Sequence, residues 1–424
     1  MTVSPNVLGY RCSLCGQDYA PDFSGYVCPL HGDSGNLDLV LDYAAIGAAN
    51  NPRSLAAAVE HSLWRYLPLL PVGDPGYVGT PLRAAGWTPL YRAERLGAAL
   101  GLPHLWLKDD GRNPTASFKD RASAVVVARA RELGAGVVVT ASTGNAGAAL
   151  AGMAAAVGQP AVIFAPETAP PAKVAQLLIF GARVLLVRGN YDQAFDLSLA
   201  AARAFGWYCR NTGYNAFTAE GKKTAAYEIC EQLTAATGAG GAGWRVPEVV
   251  FVSVGDGNIL TGLYKGFMDL AALGWIDRLP RLMGVQAEGS AACAQAWAAG
   301  VDTITPIAAH TLADSIAVDL PRDGVRAVRA VRATGGAFVT VSDDAILAAL
   351  AALGRDAAVF AEPAGAAAYA GLVQAGQQGL VRANETVVVV NTGSGLKDVK
   401  AARQAAGQPV VIDLNLEAVR QALV

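Results

Sequence analysis

The chain has 424 residues, 53% of them hydrophobic and 16% charged, with a formal net charge of −2. That length and balance suit two α/β domains around a sizeable buried interior, and the lack of any Lys/Arg run or basic stripe argues against nucleic acid or a membrane surface as partners. The start of the chain lacks the charged-then-apolar plan of a secretory signal, so a cytoplasmic enzyme is the expectation, and 6 cysteines in so long a chain do not suggest a disulfide framework.

The first 45 residues differ from the rest, holding half of the cysteines, one histidine and many turn formers. Cys12-x-x-Cys15 and Cys28-x-x-His31 have the spacing of two knuckles around a tetrahedral metal. Thiolate and imidazole are ligands that zinc favours, and four of them close its shell, which makes the expected role structural. Gly16 and Gly32 permit a tight turn after each knuckle. The alternative is a degenerate module whose reduced cysteines pack as small hydrophobes.

From about Ser54 the sequence becomes rich in Ala, Leu and Val. Strands are predicted at Leu105–Asp109, 137–140, 161–165, Arg183–Val187, 248–254, 281–286 and 385–390, alternating with helical stretches. This βαβα rhythm predicts one or two open parallel sheets. No charged residue occurs between Leu133 and Pro166, yet Ser142, Thr143, Asn145, Gln159 and Pro160 interrupt the span. It divides into strand, helix (144–158) and strand, because parallel strands covered on both faces form unbroken apolar runs. The Gly/Ala run at 238–243 predicts a flexible surface loop.

Ligands of open α/β sheets bind beyond the carboxyl ends of strands, and four motifs sit at such ends. The first is Asn113-Pro114-Thr115-Ala116-Ser117-Phe118-Lys119-Asp120-Arg121, which puts Lys119 at the opening of a helix. The second, Ser142-Thr143-Gly144-Asn145-Ala146-Gly147, begins an alanine-rich helix. There the backbone N–H groups form an anion site, or else Ser142 and Thr143 simply cap the helix. The third, Gly255-Asp256-Gly257-Asn258-Ile259-Leu260-Thr261-Gly262, lets the main chain wrap an anion before the next helix. Its spacing matches neither the dinucleotide fingerprint nor a P-loop, and Asp256 must turn its side chain away or cap the helix. The fourth is Asn391-Thr392-Gly393-Ser394-Gly395-Leu396-Lys397-Asp398.

In this order the motifs resemble the fold-type II pyridoxal phosphate (PLP) enzymes, and among them the threonine synthase branch. Glu220-Gly221-Lys222-Lys223-Thr224 and Glu362-Pro363-Ala364-Gly365 extend the resemblance over nearly the whole chain. It implies two open, twisted, parallel-sheet α/β domains with the cofactor in the cleft between them, plus the small N-terminal zinc-knuckle-like module. The expected boundaries are 1–45 for the module, 46–112 with 223–424 for the large PLP-binding domain, and 113–222 for the small domain.

The resemblance makes Lys119 the Schiff-base lysine and places Phe118 near the cofactor ring. Asn145 bonds the phenolic oxygen, and Ser142, Thr143, Gly144 and Asn145 take the substrate carboxylate. Gly255, Asp256, Gly257 and Asn258 cup the cofactor phosphate, and Thr392, with Ser394 as fallback, faces the pyridine nitrogen. Asp120 and Arg121 are expected in local ion pairs, and His310 is a lesser candidate for substrate contact.

The implied activity is conversion of O-phosphohomoserine and water to threonine and phosphate by a cytoplasmic homodimer. The alternatives are β-elimination or β-replacement on a small amino acid, as in threonine or serine dehydratases and cysteate synthase-like proteins, or a non-catalytic amino-acid sensor. One departure stands out. The family often carries an arginine just before the Glu-Gly-x-Lys-Thr segment to grip the substrate phosphate, and here Thr218 and Ala219 occupy that region. Lys222, Lys223 and Arg112 are left as substitutes.

Overall fold

A computed structural model describes residues 4–238 and 243–423, so the middle of the 238–243 loop lies outside the described residues. Three sheets organise the described residues. The largest has six strands in the order Ala337–Val341, Arg281–Ala287, Val249–Ser253, Val387–Asn391, Leu105–Asp109, Leu90–Arg92. All its neighbours pair in parallel except the last two, which are antiparallel. A second, fully parallel sheet orders Arg183–Val187, Ala161–Pro166, Val138–Ala141 and Tyr208–Cys209. The third is antiparallel and belongs to the N-terminal module: Asp18–Tyr19, Val7–Cys12, Leu37–Leu41.

The apolar runs make the central strands because both sheet faces are covered. Val249–Ser253 and Val387–Asn391 are buried at every position. Alternate side chains enter opposite cores: Val250, Val252, Val388 and Val390 join Leu260 and Leu263, while Val249, Phe251, Val387 and Val389 join Ala366 and Ala370. The charge-free span resolves into Val138–Ala141, a helix at Asn145–Ala155 and Ala161–Pro166, as its interruptions predict. Among the described residues no helix is long and apolar enough to cross a membrane.

Besides the three strands of the N-terminal sheet, the sequence reading missed Leu90–Arg92, Tyr208–Cys209 and Ala337–Val341. The first two have three and two residues, too short for a periodicity to show. The third is an edge strand with a partly exposed pattern, which dilutes the apolar signal.

A buried ionic network holds the loop that leads to Lys119. Arg121 donates through Nε to Asp110 Oδ2 at 2.6 Å and through a terminal nitrogen to Glu228 Oε1 at 2.5 Å. Lys108 Nζ donates to Glu228 Oε2 at 2.6 Å. Glu228 also accepts from the Trp87 and Thr88 amides. Arg121 thus pairs both locally and across to the helix Thr224–Thr237. Asp120 departs from the expected ion pair. It accepts from the Thr115 amide and, over a very short contact, from the Thr115 hydroxyl, and burial raises its pKa to about 6 against the pull of those bonds.

Candidate active site

Lys119 opens the helix Lys119–Glu132. The segment before it is pinned to the Asn391–Asp398 loop. Phe118 N donates to Thr392 O at 2.9 Å, Ser394 N donates to Ala116 O at 3.0 Å, and Ser117 and Gly393 form an antiparallel bridge. Ala116 takes a left-handed φ of 65° to make this turn, a conformation that costs a residue with a Cβ roughly 1 kcal/mol. Gly393 has no such latitude, since a Cβ there would lie 2.3 Å from Glu362 Oε1. Lys119 and Thr392 are therefore brought together by backbone bonds.

Both line one cavity of about 520 Å³, together with Ser142, Thr143, Gly144, Asn145, Gly255, Asp256, Gly257 and Asn258. The four motifs, far apart in sequence, converge there. The Lys119 amine makes no hydrogen bond or ion pair among the described residues. Burial, aided by the nearby Arg210 charge, lowers its pKa, while Glu362 and Asp256 pull the other way. A half-buried amine whose pKa is lowered is suited to bond a carbonyl carbon.

Two helix starts face the same space. Gly144 precedes the helix Asn145–Ala155, and no side chain caps it. The Ser142 hydroxyl accepts only from the Gly144 amide, at 3.2 Å, so ordinary capping does not consume these N–H groups. Gly257, at φ +93°, precedes the helix Asn258–Ala272, again without a side-chain cap. A Cβ on Gly257 would stand 2.7 Å from Asp323 O, so only glycine fits this turn. The buried Ser253 hydroxyl beside it has no hydrogen-bond partner. Asp256 turns as expected, with Oδ1 accepting from the Arg322 amide at 3.1 Å. An uncapped 15-residue helix, a glycine turn and an orphaned hydroxyl form a donor set that fits a phosphate.

Asn145 Nδ2 donates to Glu362 Oε1 at 2.7 Å. Burial raises the Glu362 pKa, with Asn145 and nearby lysines opposing it. Thr392 lines the cavity, whereas Ser394 does not, and its hydroxyl accepts from the Leu396 amide. Phe118 is fully buried and does not line the cavity; its ring packs into the core beneath the Arg121 guanidinium, 5.3 Å from the ring centroid. His310 is exposed, its ring bonds only Ala308 O, and it lies outside the cavity.

The sequence reading gave no role to Glu362, Tyr191, Arg210 or Ser253. Glu362 stood in a noted motif, and Arg210 directly follows the short strand Tyr208–Cys209, so the strand-end rule could have found it. Of the proposed substitutes for the missing arginine, Arg112 is exposed, and Lys223 is paired with Glu220 at 2.6 Å and Asp269 at 2.8 Å. Lys222 alone reaches the cavity.

Residues 82–393 match the family model described as pyridoxal-phosphate dependent enzyme. The chain belongs to this family. It is 36% identical over 415 residues to a threonine synthase of Methanocaldococcus jannaschii, covering 97% of this chain and 98% of that protein. It is 37% identical over 416 residues to a threonine synthase of Methanosarcina acetivorans, with the same shares covered. Among solved structures it resembles threonine deaminase isoform 2 of Solanum lycopersicum, with a TM-score of 0.65 and 24% identity over 81% of this chain and 88% of that one. That last likeness supports the fold alone.

The N-terminal cluster is compact. The ligand atoms of Cys12, Cys15, Cys28 and His31 all lie within 4.8 Å of one another. His31 Nδ1 is 3.4 Å from Cys28 Sγ and 3.9 Å from Cys12 Sγ. Ligands around a tetrahedral zinc, at ~2.0–2.3 Å from the metal, stand roughly 3.4–3.8 Å apart, so this donor set fits the ion.

Proposed function

We propose that the chain is a threonine synthase, converting O-phospho-L-homoserine and water to L-threonine and phosphate by elimination at Cγ and water addition at Cβ. The observation that carries this reading is the match to threonine synthases over 97% of the chain, well beyond the span 82–393 of the family model. When bound, PLP supplies an electron sink that makes the substrate α-proton acidic.

The chain's own residues do the rest. Lys119 would hold the cofactor, and its amine would take and return protons at the substrate α- and β-carbons. Its lowered pKa keeps the amine in the basic form more of the time. The uncapped start of the helix Asn145–Ala155, with Ser142 and Thr143, binds the substrate α-carboxylate. Gly255, Asp256, Gly257 and Asn258 would wrap the cofactor phosphate, Asn145 would face the ring oxygen, and Thr392 would offer the ring nitrogen a neutral hydroxyl, which suits eliminations and replacements better than transamination.

The test is phosphate release and threonine formation from O-phosphohomoserine, run beside 2-oxo acid formation from threonine and serine. Stoichiometric phosphate and threonine are expected. Brisk oxo-acid formation without phosphate release would instead favour the β-elimination reading, which Thr218 in place of an arginine keeps in play.

The N-terminal module is a structural zinc site in this reading, with Cys12, Cys15, Cys28 and His31 as ligands. Its position supports a structural role, since Asn36 Nδ2 donates to Arg322 O at 2.9 Å, beside the loop that holds Asp256. Protein purified without chelators is expected to contain about one zinc per chain, and a content near zero would end the assignment. A cytoplasmic homodimer is the assembly that accompanies this reading.

A further inference from the structure

The turn Gly255–Asn258 is shaped from behind by Arg322 and Asp323. The Arg322 amide donates to Asp256 Oδ1 at 3.1 Å, and the Asp323 amide to Asp256 O at 2.9 Å. Asp323 Oδ2 accepts from Asn258 Nδ2 at 2.7 Å. Asp323 O closes over Gly257, where a Cβ would meet it at 2.7 Å. Asn258 Oδ1 is taken by Lys222 Nζ at 2.5 Å. The Asn258 side chain thus serves to hold the turn, while the uncapped helix start lines the cavity.

Arg322 and Asp323 are held in their turn by the N-terminal module. Asn36 is buried, and its Nδ2 donates to Arg322 O at 2.9 Å and to Asp323 Oδ1 at 3.1 Å. Its Oδ1 has no partner, so the side chain is engaged through its two N–H groups alone. Turned over, the amide would set Oδ1 against a carbonyl and a carboxylate, which fixes its direction. The main chain here is gripped by the two knuckles. Asn36 O accepts from the Ser13 amide at 2.9 Å, and Gly35 O from the Cys28 amide at 2.8 Å. A Cβ on Gly35 would lie 2.8 Å from Cys28 Cβ and 3.0 Å from His31 Cβ, so only glycine fits against the cluster. The module also holds the helix Gly324–Ala333, which begins directly after Asp323. Arg326 donates to Asp38 Oδ1 and Arg329 to Ser13 O, each at 2.5 Å. Asn36 is pinned before it meets Asp323.

We infer that Asn36 is a positioning residue of the cofactor-phosphate turn, acting through Asp323 on Asn258, so that the N-terminal module sets part of the affinity for the phosphate of PLP. A phosphate draws on backbone N–H groups whose directions are fixed before it arrives. Asp323 receives one N–H from Asn36 on Oδ1 and one from Asn258 on Oδ2. Without Asn36, the pull of Arg326 on Asp323 Oδ1, at 3.2 Å, is no longer balanced. The carboxylate then shifts off Asn258, and the turn loses its shape.

The inference rests on the reading of Gly255–Asn258 as the cup for the cofactor phosphate, and pyridoxal, which lacks that phosphate, separates the two. Full-length protein freed of cofactor with hydroxylamine is titrated with PLP and with pyridoxal, following absorbance near the visible edge. The unsubstituted protein should bind PLP far more tightly than pyridoxal, and Gly257→Ala should erase most of that preference. Asn36→Leu is expected to weaken PLP binding about 10-fold, the scale of a buried hydrogen bond, with pyridoxal binding and metal content unchanged. Asn36→Asp, of the same shape, removes the donor and sets a carboxylate against Asp323, so a larger loss of PLP affinity is expected. An unchanged preference for PLP in both variants would overturn the inference. Equal weakening of PLP and pyridoxal would also overturn it, since that marks a merely structural role. If the unsubstituted protein does not prefer PLP, or Gly257→Ala keeps the preference, the reading of the turn fails, and the inference with it, whatever the Asn36 variants do.

Discussion

Lys119→Ala is expected to lose the absorbance band near the visible edge and to lower turnover by about four orders of magnitude, the upper range for a group that moves protons in the transition state. The expectation rests on placement. Lys119 is at the mouth of a helix, its amine unengaged, with Thr392 fixed beside it by the Phe118–Thr392 backbone bond of 2.9 Å. Lys222 is the necessary control, because it lines the same cavity and its pKa is also lowered by burial. Lys222 Nζ, however, is committed to Asn258 Oδ1 at 2.5 Å, so Lys222→Ala should keep the band. Retained turnover in Lys119→Ala would contradict the role given to this residue.

Glu228→Gln is expected to destabilise the holoenzyme by about 3–5 kcal/mol in chemical denaturation, the usual cost of leaving buried charges without their partner. Glu228 is fully buried and answers both Arg121 and Lys108. Burial alone would raise its pKa, but those two cations hold it down at about 2. A depressed carboxylate pKa contributes stability above the unfolded value of about 4.3 and loses it as pH falls toward the folded value, a contribution of about 3 kcal/mol at neutral pH. The substituted protein should therefore lose part of its acid sensitivity between pH about 4 and 2. Asp356, paired with Arg95 at 2.7 Å on the surface, provides the contrast, since Asp356→Asn should change stability by less than about 1 kcal/mol. Equal effects of the two substitutions would mean that the buried network carries no special share of the fold.

Much of the site was legible because its parts obey local rules. Each motif follows a strand whose apolar run is visible in the sequence, and each contains glycine or a small polar residue at a helix start. That is enough to place Lys119, Asn145, Gly257 and Thr392 at strand ends. What brings them to one cavity is long-range backbone bonding, such as the Ser117–Gly393 bridge, which no local pattern encodes. The side-chain direction of Phe118 was not legible for a related reason: at a helix start it depends on the turn before it, here set by the left-handed Ala116. Arg210, whose charge acts on Lys119, escaped notice because its strand has two residues. The cysteine spacing, by contrast, announced its cluster outright, since knuckle ligands lie close in the chain.

The most direct test is borohydride reduction of the cofactor-loaded protein, followed by digestion and mass analysis of the lysine peptides. The expected result is a pyridoxyl group on the peptide carrying Lys119 and on no other. A label on Lys222, or an unmodified Lys119 in fully loaded protein, would contradict the assignment of this cavity as the active site built around Lys119.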